Sequence, residues 1–274
     1  MLDIKDLSIT FKSSDSVVEA VKKLSFSVEE GSFFGIAGES GSGKTQSMMS
    51  ILGLLEPNAT VSGSILFNQQ DLLLLSNTEM NNIRSEQISI IFQDPMTSLN
   101  PFLTIGSQLM EVLIYHKNYS RMQAFDRSVE MLKLVQLPNP ARLMKRHPHE
   151  LSGGMKQRVA IAMALLCEPK LLIADEATTA LDVIIQAEIL DLLKHLKNTL
   201  SMTVIMITHD LGVIANCCDT VMIMHDGNLK EIGSVSDTFQ HPKDDYTKHL
   251  LAAVPRLMSK PVDTKKYSDT RKPV

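Results

Sequence analysis

The 274-residue sequence predicts an α/β protein built on a parallel sheet, and three observations carry that expectation. First, the apolar run Phe33, Phe34, Ile36, Ala37 leads into Gly38-Glu39-Ser40-Gly41-Ser42-Gly43-Lys44-Thr45, and a helical pattern follows over residues 46–55. That order of strand, glycine loop and helix is the context in which G-x-x-x-x-G-K-[ST] cradles a phosphate. Second, compact apolar runs at 88–92, 171–174 and 203–207 are each followed by a polar residue, Gln93, Asp175 and, after Thr208, His209. Such runs read as buried strands, and in parallel sheets ligands gather beyond strand C-termini. Third, residues from about 101 to 150 turn helical and proline-broken, as an insertion between two halves of an α/β core would.

The totals exclude several classes. A hydrophobic fraction of 44% supports a substantial core. Net charge is -4, which argues against a nucleic-acid binder on electrostatic grounds. Cys167, Cys217 and Cys218 contain no C-x-x-C pair, so neither a disulfide framework nor a zinc site is expected, and a reducing compartment is. No basic-then-apolar leader opens the chain, and no apolar run approaches the roughly 18 residues needed to cross a bilayer. A soluble protein is expected, with any membrane role reached through partners.

Taken in order, Leu2, Ile4, Leu7, Ile9 and Phe11 nearly alternate, as do Leu24, Phe26 and Val28, so two half-buried strands flank a turn-rich link at 13–16. Phe11 at a strand edge fits either a core position or a platform for a nucleotide base. A short strand is expected at 65–67. From 103 to about 137 the apolar spacing is helical. A further helix is expected at 186–200, a hairpin with an Asp226-Gly227 turn at 221–232, one last helix at 239–253, and a loose polar tail from Pro255.

The chemistry-bearing residues fall into four groups. In the glycine loop, Gly38, Gly41 and Gly43 allow backbone N–H groups to face a phosphate, with Glu39, Ser40, Ser42 and Gln46 completing the cradle. Lys44 is expected at the β- and γ-phosphates, and the Thr45 hydroxyl on Mg²⁺. Gln93 sits where Pro95 stops a strand, a position for a solvated side chain or for contact with a metal-bound water. Ser152 is an N-cap in front of Gly153 and Gly154, which makes either an ordinary capped helix or a second anion site. Asp175 and Glu176 at a strand end fit a metal-side carboxylate and a group that orients the attacking water, general-base help typically giving about 10²–10⁴-fold. Alone, such a pair also fits a helix start. His209 falls at the same sheet edge.

Together, residues 38–45, Gln93, Leu151-Ser152-Gly153-Gly154-Met155-Lys156-Gln157-Arg158, Asp175-Glu176, Ala180-Leu181-Asp182 and His209 resemble, in order, the motifs of an ATP-binding-cassette ATPase. The Leu-Ser-Gly-Gly octet discriminates, since other phosphate-loop families lack it. Residues 91–101, 148–150, 161–167 and 206–213, with His241-Pro242, Tyr246-Thr247 and Leu250-Leu251, are similar to the oligopeptide/dipeptide importer ATPases, of the D type. The resemblance covers about residues 1–257. It implies a P-loop NTPase fold with a RecA-like core, an antiparallel β subdomain and a helical subdomain at about 101–150, and a polar tail at 258–274.

By the same resemblance, ATP and Mg²⁺ are the cofactors, Thr45, Gln93 and Asp175 the metal side, and Glu176, His209, Gln93 and Lys44 the catalytic set. Phe11 becomes the base-stacking aromatic with Val21 beside it, and Ser152, Gly153, Gly154 and Asp182 complete a nucleotide site in a head-to-tail pair. The implied partners are a second, paralogous ATPase subunit, two transmembrane permease subunits and, indirectly, a solute-binding protein, with no nucleic acid. The implied location is peripheral, on the cytoplasmic face of the cell (inner) membrane. Nickel importers share much of the pattern, and a soluble cassette ATPase acting on DNA or ribosomes is the remote alternative. Ala177 departs from the proline usual after the glutamate. Oligopeptide-type subunits often carry a cysteine-containing extension for an iron–sulfur cluster; the tail here lacks those cysteines, so no cluster is expected.

Overall fold

The computed structural model describes residues 1–13, 16–92, 98–177 and 182–253. In chain order these form strands β1 (Leu2–Lys12), β2 (Val17–Val28) and β3 (Phe33–Ala37), helix α1 (Lys44–Ile51), strands β4 (Ala59–Phe67) and β5 (Gln70–Asp71), helix α2 (Asn77–Ile83) and strand β6 (Ile88–Ile91). Helices α3 (Ile105–Lys117), α4 (Arg121–Leu134), α5 (Pro140–Leu143) and α6 (Gly153–Leu165) follow, then β7 (Leu171–Asp175), α7 (Val183–Thr199), β8 (Thr203–Thr208), α8 (Leu211–Cys217), β9 (Thr220–His225), β10 (Asn228–Ser234), α9 (Val235–Gln240) and α10 (Asp245–Ala252).

Two sheets result. One has the order β10-β9-β3-β8-β7-β6 and is parallel except at the β9–β10 hairpin; the other is antiparallel, in the order β2-β1-β4-β5. The central strands are buried on both faces, and their side chains split by the two-residue period. Leu172, Ala174, Val204 and Met206 join one core with α3, α4, α6 and α7. Leu171, Ile173, Ile205 and Ile207 join a second core with α1 and the antiparallel sheet. The parallel sheet therefore lies between a helical layer and a β layer.

Several boundaries differ from the sequence reading. Helix α1 begins two residues early, after Gly43 in the left-handed region, and ends at Ile51 instead of Leu55. Its stop is a Schellman turn: Gly53, at φ 59°, donates to the Ser50 carbonyl, and Leu54 to that of Met49. The 103–137 stretch is two helices, parted by Asn118 at φ 53° and restarted by the Ser120–Gln123 capping box. The single helix expected at 239–253 is two helices, broken at His241-Pro242 because proline has no N–H to continue the ladder. There the Glu231 carboxylate accepts the N–H groups of Lys243 and Asp244. Helix α2 went unread, although Ser76 and Glu79 form a reciprocal capping box before it.

Candidate nucleotide site

The register of the parallel sheet assembles the site. Ala37 pairs with Thr208, and Asp175 with Ile207, so β3, β8 and β7 end side by side. Residues 38–43, Glu176 and His209 leave from these three ends. Gly38 approaches the β9 backbone so closely that a Cβ would lie 2.2 Å from the Met224 carbonyl oxygen. At Gly43, with φ 95°, a Cβ would lie 2.4 Å from the Ala20 carbonyl oxygen. Only glycine satisfies both contacts. The Gly227 N–H, from the β9–β10 turn, donates to the Ser42 carbonyl at 3.2 Å and braces the loop from the other side.

Lys44 is 5% exposed, and its Nζ donates to the carbonyls of Gly38 (2.8 Å) and Glu39 (2.7 Å) and to Ser42 Oγ (3.3 Å). Burial pulls the amine below its ordinary value, while Glu176, Asp175 and Glu39 oppose the shift. Thr45 Oγ1 donates to Asp175 Oδ1 at 3.3 Å. Burial pushes the Asp175 carboxyl up; the Thr45 hydrogen bond opposes this, Glu176 adds to it, and Lys44 opposes it. A hydroxyl beside a carboxylate is an all-oxygen donor pair, which fits a hard divalent cation such as Mg²⁺.

Glu176 has left-handed backbone, φ 45°, a strained state for a residue with a Cβ. Its N–H donates to the Ile207 carbonyl at 2.9 Å, and His209 Nδ1 lies 3.2 Å from its Oε1. The imidazole therefore orients the carboxylate toward a cleft of about 380 Å³, lined by Ala20, the loop from Ser40 to Gln46, Glu176 and His209.

The other described sequence candidates do not line this cleft. Phe11 is half-buried at the margin of the second core, cross-strand from Val18 and Ala59, and does not line the cleft. Val21 is fully buried beside the loop, where a Cβ on Gly43 would lie 3.3 Å from Val21 Cγ2, and its neighbour Ala20 lines the cleft. Gln93, Ala180 and Leu181 fall outside the described residues. Ser152 and Gly153 are exposed at the start of α6, away from the cleft, and Ser152 Oγ caps the helix through the Met155 N–H. Asp182 caps α7 by accepting from Ile184 and Ile185. The two helix starts adjoin: a Cβ on Gly154 would meet Ile185 Cγ2 at 3.0 Å. Sequence reasoning missed Ala20, Met224 and the Gly227 brace; the Asp226-Gly227 turn was legible, its target was not.

Fold and site define a phosphate-loop α/β nucleotide-binding protein. More narrowly, the chain belongs to the ABC transporter family, which it matches over residues 21–179. It is 54% identical to the oligopeptide transport ATP-binding protein OppD of Haemophilus influenzae over 257 residues, covering 94% of this chain and 80% of that one. It is 49% identical to the dipeptide transport ATP-binding protein DppD of Bacillus subtilis, covering 94% and 77%. Among solved structures, it resembles the dimeric ATP-binding cassette MJ0796 in a post-hydrolysis state bound to ADP and Pi, with TM-score 0.76, 31% identity, and 86% and 99% coverage. It also resembles cbiO1 of Clostridium perfringens, part of an ABC transporter complex, with TM-score 0.75, 30% identity, and 88% and 90% coverage. None of the helices among the described residues is long and apolar enough to cross a membrane.

Proposed function

We propose that this chain is the ATP-hydrolysing subunit of a membrane importer for oligopeptides or dipeptides. The carrying observation is the division of the nucleotide residues between a cleft and a separate exposed helix tip. Lys44, Thr45, Asp175, Glu176 and His209 meet in the cleft, whereas Ser152 and Gly153 stand exposed on another surface. A second ATPase subunit supplies the missing tip to this cleft and receives this tip in turn. Val183 and Ile184, 81% and 73% exposed beside the Asp182 cap, give that surface an apolar contact.

In this reading the loop N–H groups and Lys44 hold the phosphates, and Glu176, oriented by His209, takes the proton of the attacking water. Mg²⁺, when bound, neutralises phosphate charge, and Thr45 and Asp175 are the residues that hold it, with Gln93 assigned to the same task from sequence. A second helix N-terminus favours the γ-phosphate only while it is present, so hydrolysis reopens the pair. The groove between α1 and the helical layer, lined by Leu52, Leu54, Arg84, Phe92, Val112 and Met163, is the docking surface for the transmembrane permeases. In this reading the chain sits peripherally on the cytoplasmic face of the membrane.

The test is Glu176→Gln. ATP affinity stays within about twofold, turnover falls by about 10²–10⁴-fold, and ATP traps a paired form visible by size-exclusion chromatography. Unchanged turnover would remove Glu176 from its role.

A further inference from the structure

The turn that braces the phosphate loop is itself backed by the C-terminal helix. Asp226 and Gly227 both have left-handed backbone, φ 48° and 75°, as a two-residue hairpin turn between β9 and β10 requires. The end of this hairpin bears on the loop at two places. The Met224 carbonyl oxygen would lie 2.2 Å from a Cβ on Gly38, and the Gly227 N–H donates to the Ser42 carbonyl at 3.2 Å. On its other side the turn meets β2. The Gly227 carbonyl accepts from the Lys22 N–H at 2.8 Å, and a Cβ on Gly227 would lie 2.8 Å from the Ala20 carbonyl oxygen. Ala20 lines the nucleotide cleft, so a shift of this turn moves a wall of the cleft and the loop together.

Strand pairing supports the hairpin from one side, because β10 is the edge strand of its sheet. A ring contact supplies further support. His225, the last residue of β9, stacks on Tyr246 of α10, with centroids 4.0 Å apart and planes 25° apart. His225 Nε2 also lies 3.4 Å from Asp226 Oδ2 in the turn. Tyr246 is in turn fixed through both ends of its helix. At the start, the Glu231 carboxylate of β10 accepts the N–H groups of Lys243 and Asp244, and Asp244 accepts that of Tyr246. Near the end, Leu251 packs with Ala37, the residue before Gly38, in a third core. A stacked pair favours one relative placement of its two rings, so an anchored Tyr246 limits where His225 and the turn after it can go.

We propose that His225 and Tyr246 are positioning residues for the phosphate loop: their stack holds the β9–β10 turn against Ser42 and so keeps the loop shaped for a polyphosphate. The C-terminal helix, which lies beyond the residues 21–179 of the family match, is thereby part of the nucleotide site. This inference rests on the proposed ATP site.

The experiment uses the full chain and four variants: Tyr246→Leu and His225→Ser, which remove the stack, and Tyr246→Phe and His225→Tyr, which keep it. Calorimetry gives the ATP–Mg²⁺ dissociation constant at a temperature where circular dichroism shows every variant folded. The two stack-removing variants bind ATP about two- to tenfold more weakly, the worth of one aromatic pair, and the two stack-keeping variants stay within about twofold of wild type. Where turnover is measured, KM rises more than kcat falls, because Glu176 and His209 leave from β7 and β8 and not from the braced hairpin. In the nucleotide-free protein, amide exchange over residues 38–46 and 224–228 speeds up in Tyr246→Leu and His225→Ser. Wild-type ATP affinity in both stack-removing variants overturns the inference. So does a loss in Tyr246→Phe as large as in Tyr246→Leu, which would assign the effect to the hydroxyl. Unchanged exchange over 38–46 in the free variants overturns it independently of any nucleotide. Wild type that bound no ATP would instead sink the proposed function.

Discussion

The phosphate loop and the Ser152-Gly153-Gly154 tip are both glycine-containing entries to a helix, yet they are built in opposite ways. The loop is closed on itself. Backbone carbonyls crowd Gly38 and Gly43 to within 2.2 and 2.4 Å of where a Cβ would sit, and Lys44 spends its donors inside the loop. The tip is open: nothing lies within 4 Å of a Cβ on Gly153, and Ser152 is exposed. The same local chemistry is thus built in two ways. One end is closed by its own chain, and the other is capped and left exposed.

The sharpest way to break this contrast is to remove the closed loop's centre. Lys44→Ala takes away the charge and strips the Gly38 and Glu39 carbonyls of their donor, so ATP affinity falls by about 100-fold. Calorimetry giving wild-type affinity would show that the loop does not depend on its lysine. Next comes a matched glycine pair. Gly43→Ala forces a side chain into left-handed backbone against the Ala20 carbonyl and lowers stability by about 1–3 kcal/mol. Gly153→Ala leaves the melting temperature unchanged or slightly higher, while ATP-dependent pairing weakens. Equal denaturation midpoints for the two variants would erase the distinction between loop and tip.

The smallest effect compares two serine caps. Ser152→Ala and Ser76→Ala each lower stability by about 1 kcal/mol. Only the first changes ATP-dependent pairing, as sedimentation with and without ATP will show. The Ser76 cap also carries a pH signature. The Ser76 hydroxyl, then its backbone N–H, hold the Glu79 carboxyl below its ordinary value of 4.5. A depressed folded-state value means stabilisation that is complete above pH 4.5 and lost as pH falls through the lowered value. The difference between Ser76→Ala and wild type therefore narrows in acid; a constant gap down to unfolding would show that Glu79 does not take part.

Much of the fold was legible because burial leaves a period in the sequence. The runs at 171–174 and 203–207 became β7 and β8 because strands buried on both faces are apolar at every position. Boundaries were less legible where backbone geometry, not side-chain pattern, stops an element. The apolar spacing after Thr45 continues to Leu55, but Gly53 in the left-handed region ends α1 at Ile51. The pattern at 239–253 likewise hid a break that Pro242 and the Glu231 carboxylate impose together. Phe11 marks a different boundary: an edge aromatic can serve a core or a ligand, and its half-buried place at the margin of the β layer fits both.

By itself, the sequence determined the chemistry on offer: a lysine behind glycines, adjacent carboxylates after a buried run, a serine-capped helix start. Those features are local, written in residue type and in spacings of a few positions. The tertiary structure decided who meets whom. Thr45 reaches Asp175 across 130 residues, Gly227 braces Ser42, His209 orients Glu176, and Tyr246 comes to stack on His225. Such encounters follow from strand register and from the face on which each helix packs. Both are set by the joint burial of distant apolar surfaces, which no short stretch of sequence records.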